Sequence, residues 1–116
     1  MEKTIMIDGK EVRLKATAAL PLRYKAQFGR DFFGDVYKMN PDIKKNRVEN
    51  LDTTVFYNLI WVMAKNADKS IPEPVEWFDQ FERFPLEDVL PTVFDLLNGV
   101  MGTKKKPPTY RQKRNQ

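Results

Sequence analysis

Two pairs of neighbouring carboxylates are the residues of this sequence best suited to carry out chemistry. Asp31 and Asp35 lie four residues apart, and Glu87 and Asp88 are adjacent. Paired carboxylates can divide the roles of general acid and general base, or hold a hard cation such as Mg²⁺. Each pair falls on the polar side of a predicted helix, where acidic side chains are usually solvated. We therefore interpret both pairs as surface residues.

The sequence contains no histidine and no cysteine. Their absence excludes disulfides, thiolate chemistry, zinc sites built on these ligands, and any catalytic triad that uses an imidazole base. The sequence also has no glycine-rich phosphate loop, and its Asp8-Gly9 pair is typical of a tight turn. We expect a binding protein that is not an enzyme, with no catalytic residue, no cofactor and no metal. An enzyme that depends on acids alone would need several carboxylates in one pocket.

Positive charge is concentrated at the end of the chain. Of its 20 cations, six follow Gly102, where there are no acids, so residues 1–101 hold 14 cations against 16 acids. The six are Lys104, Lys105, Lys106, Arg111, Lys113 and Arg114. Such a segment can neutralise nucleic-acid phosphates, which would make the chain a small nucleic-acid-binding or regulatory protein, or it can simply solubilise the chain. We favour the second interpretation and expect no specific nucleic acid, because the rest of the chain is net acidic.

The elements that position these residues begin with a β-hairpin. Apolar and polar residues alternate over residues 4–16 on both sides of Asp8-Gly9, a pair that tolerates the positive φ of a hairpin turn. A two-stranded hairpin is marginal alone, so its apolar face should pack on helices. That predicted face comprises Ile5, Ile7, Val12 and Leu14.

From Pro21 the apolar period becomes helical, and the helix should stop near Met39 because Pro41 follows. Gly29 either permits a close helix contact or divides this segment in two. Residues 40–50 are predicted to be a polar connection. The apolar stripe predicted for this segment is Leu22, Ala26, Gly29, Phe33 and Tyr37, with Phe32 and Val36 beside it.

The strongest helical pattern covers residues 51–67, whose apolar residues occupy more than half of the circumference. Trp61 lies on the remaining polar stripe, with Tyr57 at its edge. A large aromatic side chain there is a candidate contact for a partner. The alternative, which we favour, is that the hairpin or a loop covers Trp61, since aromatic side chains are mostly buried.

Pro74 opens a short helix that carries Trp77, Phe78, Phe81 and Phe84, and Pro85 interrupts it. A longer helix with a clean apolar arc follows from Leu86 to about Gly99, and Pro91 should kink or split it. The predicted fold is mainly α (α+β): an N-terminal β-hairpin followed by about four to five helices in one domain, residues 1–101. Residues 102–116 are expected to be a flexible basic tail. We expect neither a membrane span nor a secretory signal.

Several segments of the chain resemble the tail assembly chaperones of siphophages and prophages of Gram-positive bacteria. The likeness begins with the first 19 residues, extends over about residues 1–101 and includes no catalytic motif. Leu20 departs from it, because a Ser or Thr cap is expected before Pro21. The other matching residues are Pro21, Arg23-Tyr24, Phe28 to Asp31, Val62 to Lys65, Ile71-Pro72, Glu76-Trp77, Phe81 and Val89 to Pro91.

The resemblance implies a protein that binds the long, helical, aggregation-prone tape-measure protein in the host cytoplasm, keeps it soluble, and leaves before the virion is mature. It also implies a longer form, made by a ribosomal frameshift near the end of the gene, that recruits the major tail protein. The adenine-rich codons of Lys104 to Lys106 suit such a frameshift. Amphipathic helices of this kind can also bury a second copy of the same chain. The predicted partner-binding residues are Tyr57, Trp61, Trp77 and Phe81.

Overall fold

A computed structural model describes residues 1–38 and 52–102 of the chain. An N-terminal antiparallel hairpin is followed, within these residues, by five helices, so the predicted fold class is confirmed. The predicted connection over residues 40–50, the helix end near Met39 and nearly all of the predicted tail lie outside the described residues. The elements are β1 Glu2–Ile7, β2 Lys10–Lys15, α1 Leu20–Phe28, α2 Phe32–Lys38, α3 Thr53–Ala67, α4 Pro74–Asp79 and α5 Leu86–Met101.

The hairpin turns at Asp8 and Gly9, which both have positive φ (53° and 76°). Two consecutive positive φ values match the twist of the flanking strands, as in a type I′ turn. Ile5 pairs with Val12, and Ile7 pairs with Lys10. The predicted apolar face packs on the helices: Ile5 is half-buried, and Ile7, Val12 and Leu14 are buried.

Helix α3 is the centre of the molecule and contacts β2, α1 and α4. It begins at Thr53, two residues later than predicted, where the Asp52 side chain accepts a hydrogen bond from the Thr54 amide at 3.0 Å and caps the helix. Its buried residues surround most of the circumference, as predicted for a central helix. They are Val55, Phe56, Leu59, Ile60, Trp61, Val62, Met63, Ala64 and Asn66.

Gly29 divides the predicted helix of residues 21–39 into α1 and α2. It adopts a left-handed conformation, with φ of 70°, and donates a hydrogen bond to the Lys25 carbonyl at 2.8 Å. Such a conformation ends a helix and favours glycine. After the break, the Asp31 side chain accepts a hydrogen bond from the Gly34 amide at 2.7 Å, within the first turn of α2.

The apolar stripe predicted for α1 and α2 is wrong. Counting 100° per residue through Gly29 assumes one continuous helix, whereas the break reorients α2 relative to α1. The core is instead formed by Leu20, Tyr24, Phe32 and Val36, and Phe28 is half-buried. All five residues of the predicted stripe are exposed: Leu22, Ala26, Gly29, Phe33 and Tyr37.

Helix α5 runs through Pro91 without being divided, so the predicted split is wrong. The helix ends at Met101, two residues beyond the predicted Gly99, and Gly102 closes it in a left-handed conformation. Its apolar arc is confirmed, and Glu87 and Asp88 are exposed in its first turn. The buried residues of the arc are Val89, Leu90, Val93, Phe94, Leu96 and Leu97.

Candidate binding surfaces

The predicted partner-binding residues occupy mainly interior positions in this fold. Trp61, Trp77 and Phe81 are buried, and Tyr57 is half-buried. Their side chains are therefore not a free surface in this conformation, although whether they contact a partner stays a prediction. These rings are buried because they pack against parts of the chain that are distant in the sequence, and the residue spacing does not show which parts come together.

Trp61 is covered by a loop and by α1, as in the alternative that we favoured from sequence. Its indole N–H donates to the Pro72 carbonyl at 2.9 Å, and its ring meets Phe28 edge-on with centroids 6.1 Å apart. The ammonium group of Lys65 lies 5.9 Å from the ring centroid. Trp61 is therefore buried although it lies on the polar stripe of α3, because its indole has both a hydrogen-bond partner and an aromatic neighbour.

The other three predicted residues belong to one aromatic cluster that joins α3 to α4. Tyr57 stacks on Phe78 with centroids 4.7 Å apart, and Trp77 meets Phe81 edge-on at 5.3 Å. Phe84 contacts Tyr57, Phe78 and Phe81 at centroid distances from 5.2 to 5.8 Å. The prediction that one helix carries all four aromatics Trp77, Phe78, Phe81 and Phe84 is wrong, because α4 ends at Asp79 and only Trp77 and Phe78 lie in it. Phe81 and Phe84 join the cluster from the chain that follows α4.

Two grooves border this interior. The larger, of about 370 Å³, separates β2 from residues 68–72 and α4, and we call it the β2–α4 groove. Trp77 and Phe81 are among its lining residues. The second groove, of about 230 Å³, lies between α1 and α3, where Trp61 contributes to its wall beside Arg23 and Lys65. Three of the four predicted contact residues therefore line one of these two grooves.

Helix α2 is apolar on two sides. Phe32 and Val36 face the core, whereas Phe33 and Tyr37 lie on the outside, 40% and 57% exposed. The two outer rings stack with centroids 5.7 Å apart and an interplanar angle of 27°. A stacked aromatic pair in water is an unusual surface and typical of an interaction site. Both residues belong to the apolar stripe predicted to face the core, so their exposure was not expected from the sequence.

An ionic network around the buried Asp35 carboxylate holds α2 in place. The Asp35 side chain, 5% exposed, accepts two hydrogen bonds from the Arg30 guanidinium, from Nε at 2.7 Å and from Nη2 at 2.6 Å. The Tyr24 hydroxyl of α1 donates to the same carboxylate at 2.8 Å. The bidentate geometry is the strong form of this ion pair. The expectation that Asp35 is a solvated surface residue is wrong, and only Asp31 of that pair is exposed.

The electrostatics of this network follow from its geometry. The hydrogen bonds from Arg30 hold the pKa of Asp35 below its ordinary value, although burial acts in the opposite direction. Burial, followed by the hydrogen bond to Asp35, raises the pKa of Tyr24 to about 12. The pKa of Arg30 is also raised, chiefly by its hydrogen bonds to Asp35. The three groups are therefore held as a carboxylate, a neutral phenol and a guanidinium, a combination that locks α1 to α2.

Within residues 1–38 and 52–102, no group of three acidic side chains is close enough to hold a metal ion. None of the helices in this part of the chain is both long and apolar enough to cross a membrane.

Comparison of the chain with family profiles, curated proteins and solved structures gives no match.

Proposed function

We propose that this protein is a non-enzymatic tail assembly chaperone that binds the tape-measure protein of a siphophage or prophage and keeps it soluble. The observation that carries the proposal is the exposed, stacked pair Phe33 and Tyr37 on the outer side of α2. A chaperone of this type needs an apolar surface that binds reversibly, and the sequence likeness over about residues 1–101 supplies the biological role.

The position of α2 supports a contact with another helix. Its inner side is fixed by Phe32, Val36 and the Asp35 network, so the two outer rings are presented on a rigid support. Rings that are already ordered lose little conformational entropy on binding. A long amphipathic helix, as expected for a tape-measure protein, could cover both rings with its apolar face.

Co-expression with the tape-measure protein of the same genome tests the proposal. We expect the soluble fraction of the tape-measure protein to rise in the presence of the wild-type chain. A double variant, Phe33→Ser with Tyr37→Ser, should lose most of this effect, because burial of a large apolar side chain contributes about 1.5–3 kcal/mol. Val75→Ser is the matched control, since Val75 is a 75% exposed apolar residue on α4.

The outcomes test the chaperone function and the α2 contact surface separately. If the wild-type chain leaves the tape-measure protein insoluble, the chaperone function is refuted. If the double variant works as well as the wild type, the function stands and α2 is not the contact. Both variants should retain the wild-type circular dichroism spectrum, because all three substituted side chains are exposed.

The alternative function, nucleic-acid or regulatory binding through the basic residues after Gly102, is separable by truncation. A chain that ends at Gly102 should still solubilise the tape-measure protein if the chaperone proposal is right. Loss of all partner binding in the truncated chain would favour the alternative. The salt dependence of any nucleic-acid binding would also drop with the six cations, since each neutralised phosphate contributes to that dependence.

The proposal includes a frameshift-extended form that recruits the major tail protein. The nucleotide sequence at the codons of Lys104 to Lys106 tests this part directly. A slippery heptamer and an overlapping downstream reading frame are expected there. Absence of either would remove the extended form from the proposal and leave the short form as the chaperone.

A further inference from the structure

The outer edge of β2 has no pairing strand among the described residues and faces the β2–α4 groove, whose lining is partly apolar and partly polar. Because the turn has two residues, Ile7–Lys10, Ile5–Val12 and Lys3–Leu14 are the hydrogen-bonded pairs of the hairpin. The main-chain N–H and C=O groups of the residues between them, Glu11 and Arg13, must therefore point away from β1. Among the described residues, none forms a hydrogen bond with these four groups.

Lys15, the next residue of β2 whose main-chain groups point away from β1, already has a hydrogen-bond partner on this side of the strand. The Lys15 carbonyl, two residues beyond Arg13, accepts a hydrogen bond from the Asn66 side chain of α3 at 3.2 Å. Helix α3 thus covers the edge at Lys15, whereas Glu11 and Arg13 line the β2–α4 groove. The unpaired part of the β2 edge therefore forms one side of the β2–α4 groove.

The groove is framed by fixed structure. At the hairpin turn, the Asp8 carboxylate accepts a hydrogen bond from the Glu82 amide at 2.9 Å, which ties β2 to the chain just beyond α4. At the other end, the Arg13 guanidinium donates to the Ala67 carbonyl at 2.9 Å. The first bond fixes the hairpin to the chain after α4, and the second fixes it to the end of α3. The apolar part of the lining comprises Val12, Ala64, Ile71, Pro72, Trp77 and Phe81.

We propose that the β2–α4 groove binds an extended segment of another polypeptide, which adds a third strand to the hairpin along Glu11 and Arg13. Alternating outward donors and acceptors, about 7 Å apart along the strand, are matched by an extended main chain and not by a helix. Alternate side chains of the added strand would point toward Trp77 and Phe81, so apolar residues are expected at every second position. The groove volume of about 370 Å³ is in the range of binding pockets.

This site is distinct from the outer face of α2, and its occupant is defined by its extended conformation instead of by its identity. The proposal therefore does not depend on the tape-measure assignment. It also gives Trp77 and Phe81, which the sequence marked as contact residues, a way to meet a partner without leaving the core.

A titration with a defined peptide tests the proposal. The probe is a seven-residue acetylated and amidated peptide that alternates valine with threonine between terminal lysines. Added to the full ¹⁵N-labelled chain, it should produce saturable shifts of the Glu11 and Arg13 amides and of the Trp77 indole N–H. The same peptide with N-methyl groups on the residues that would pair should bind at least about tenfold more weakly, because each lost main-chain hydrogen bond weakens binding severalfold.

Two proline variants provide a matched pair. Glu11→Pro removes an outward N–H that the hairpin does not use, and proline is tolerated on edge strands. Met6, which is directly opposite Glu11 and also points outward from the hairpin, supplies the control Met6→Pro. We expect Glu11→Pro to weaken peptide binding at least about tenfold and Met6→Pro to leave it unchanged. Circular dichroism spectra of the two variants should coincide.

Three results would overturn the proposal. One is equal peptide affinity for the two proline variants when both are folded. Another is a set of shifts centred on Phe33 and Tyr37 instead of Glu11 and Arg13, which would place the peptide on α2. The third is strong protection of the Glu11 and Arg13 amides from solvent exchange before any peptide is added, since the edge would then already be paired within the free chain.

Discussion

Replacement of Asp35 by alanine is the perturbation that most directly tests how this fold is held together. The substitution removes a buried carboxylate that accepts two hydrogen bonds from Arg30 and one from Tyr24. It leaves the Tyr24 hydroxyl, whose residue is fully buried, without its partner. The guanidinium of Arg30 is affected less, because its side chain is 51% exposed and can be hydrated again.

The expected loss in the free energy of unfolding follows from these environments. A hydrogen bond to a charged group contributes about 1.5–3 kcal/mol, and an unsatisfied buried hydroxyl costs about 1–3 kcal/mol. The half-exposed partner weakens the ionic contribution, since exposed pairs contribute little. We therefore expect Asp35→Ala to destabilise the chain by about 2–4 kcal/mol. Asp35→Asn should be less damaging, because its side-chain oxygen can still accept the Tyr24 hydrogen bond.

Urea denaturation of the wild type and both variants, followed by far-ultraviolet circular dichroism, measures these differences. The pH dependence supplies a second, independent check. The pKa of Asp35 is lower in the folded chain than its ordinary value of 3.8, so its charge stabilises the fold above about pH 4. That stabilisation is lost as the pH falls through the folded pKa. The difference between wild type and Asp35→Asn should accordingly shrink below pH 4.

If the unfolding free energy of Asp35→Ala lies within about 0.5 kcal/mol of the wild-type value, the reasoning is refuted, because surface substitutions produce effects of that size. A stability difference between wild type and Asp35→Asn that stays constant from pH 7 to pH 2 would contradict the assignment of a charged carboxylate.

Two further predictions concern the same region. Gly29→Ala should destabilise the chain by about 1 kcal/mol, because Gly29 has φ of 70°. Gly29→Asn should cost less, and equal urea midpoints for glycine and alanine would show that the left-handed cap is not needed. Because the pKa of Tyr24 is raised to about 12, the wild type should lose stability as the pH rises from about 10 to 12, whereas Tyr24→Phe should not. Parallel alkaline denaturation curves for the two chains would count against a buried phenol.

The local elements of this protein could be predicted from sequence because their signals are local. Asp8-Gly9 between two alternating segments specified the hairpin, and the apolar circumference of residues 51–67 specified a central helix. Both are present, as is the arc of α5. The positions of Pro91 and Gly99 were less informative, because tertiary packing maintains α5 through the proline and for two residues beyond the glycine.

The candidate surfaces were harder to predict, and the reasons are physical. A helical count continued through Gly29 assigned Phe33 and Tyr37 to the core, because nothing in the spacing reveals the change of direction that a left-handed residue produces. Burial of Trp61 was the favoured interpretation, but what covers it could not be predicted, because its hydrogen-bond partner, the Pro72 carbonyl, lies in a loop whose path no periodicity describes. The groove beside β2 requires that a strand edge and α4 be placed side by side, which is a long-range contact.

What the sequence by itself determined is the inventory: the lack of histidine and cysteine, the hairpin, the amphipathic helices and the concentration of cations after Gly102. These follow from residue types and from spacings of two to seven residues. Only the tertiary structure decided which aromatic side chains are inside, that Asp35 is a buried member of an ionic network, and that the edge of β2 opens on a groove. Those properties depend on contacts between residues far apart in the sequence, such as Asp8 with Glu82, 74 positions away, for which a one-dimensional pattern carries no signal.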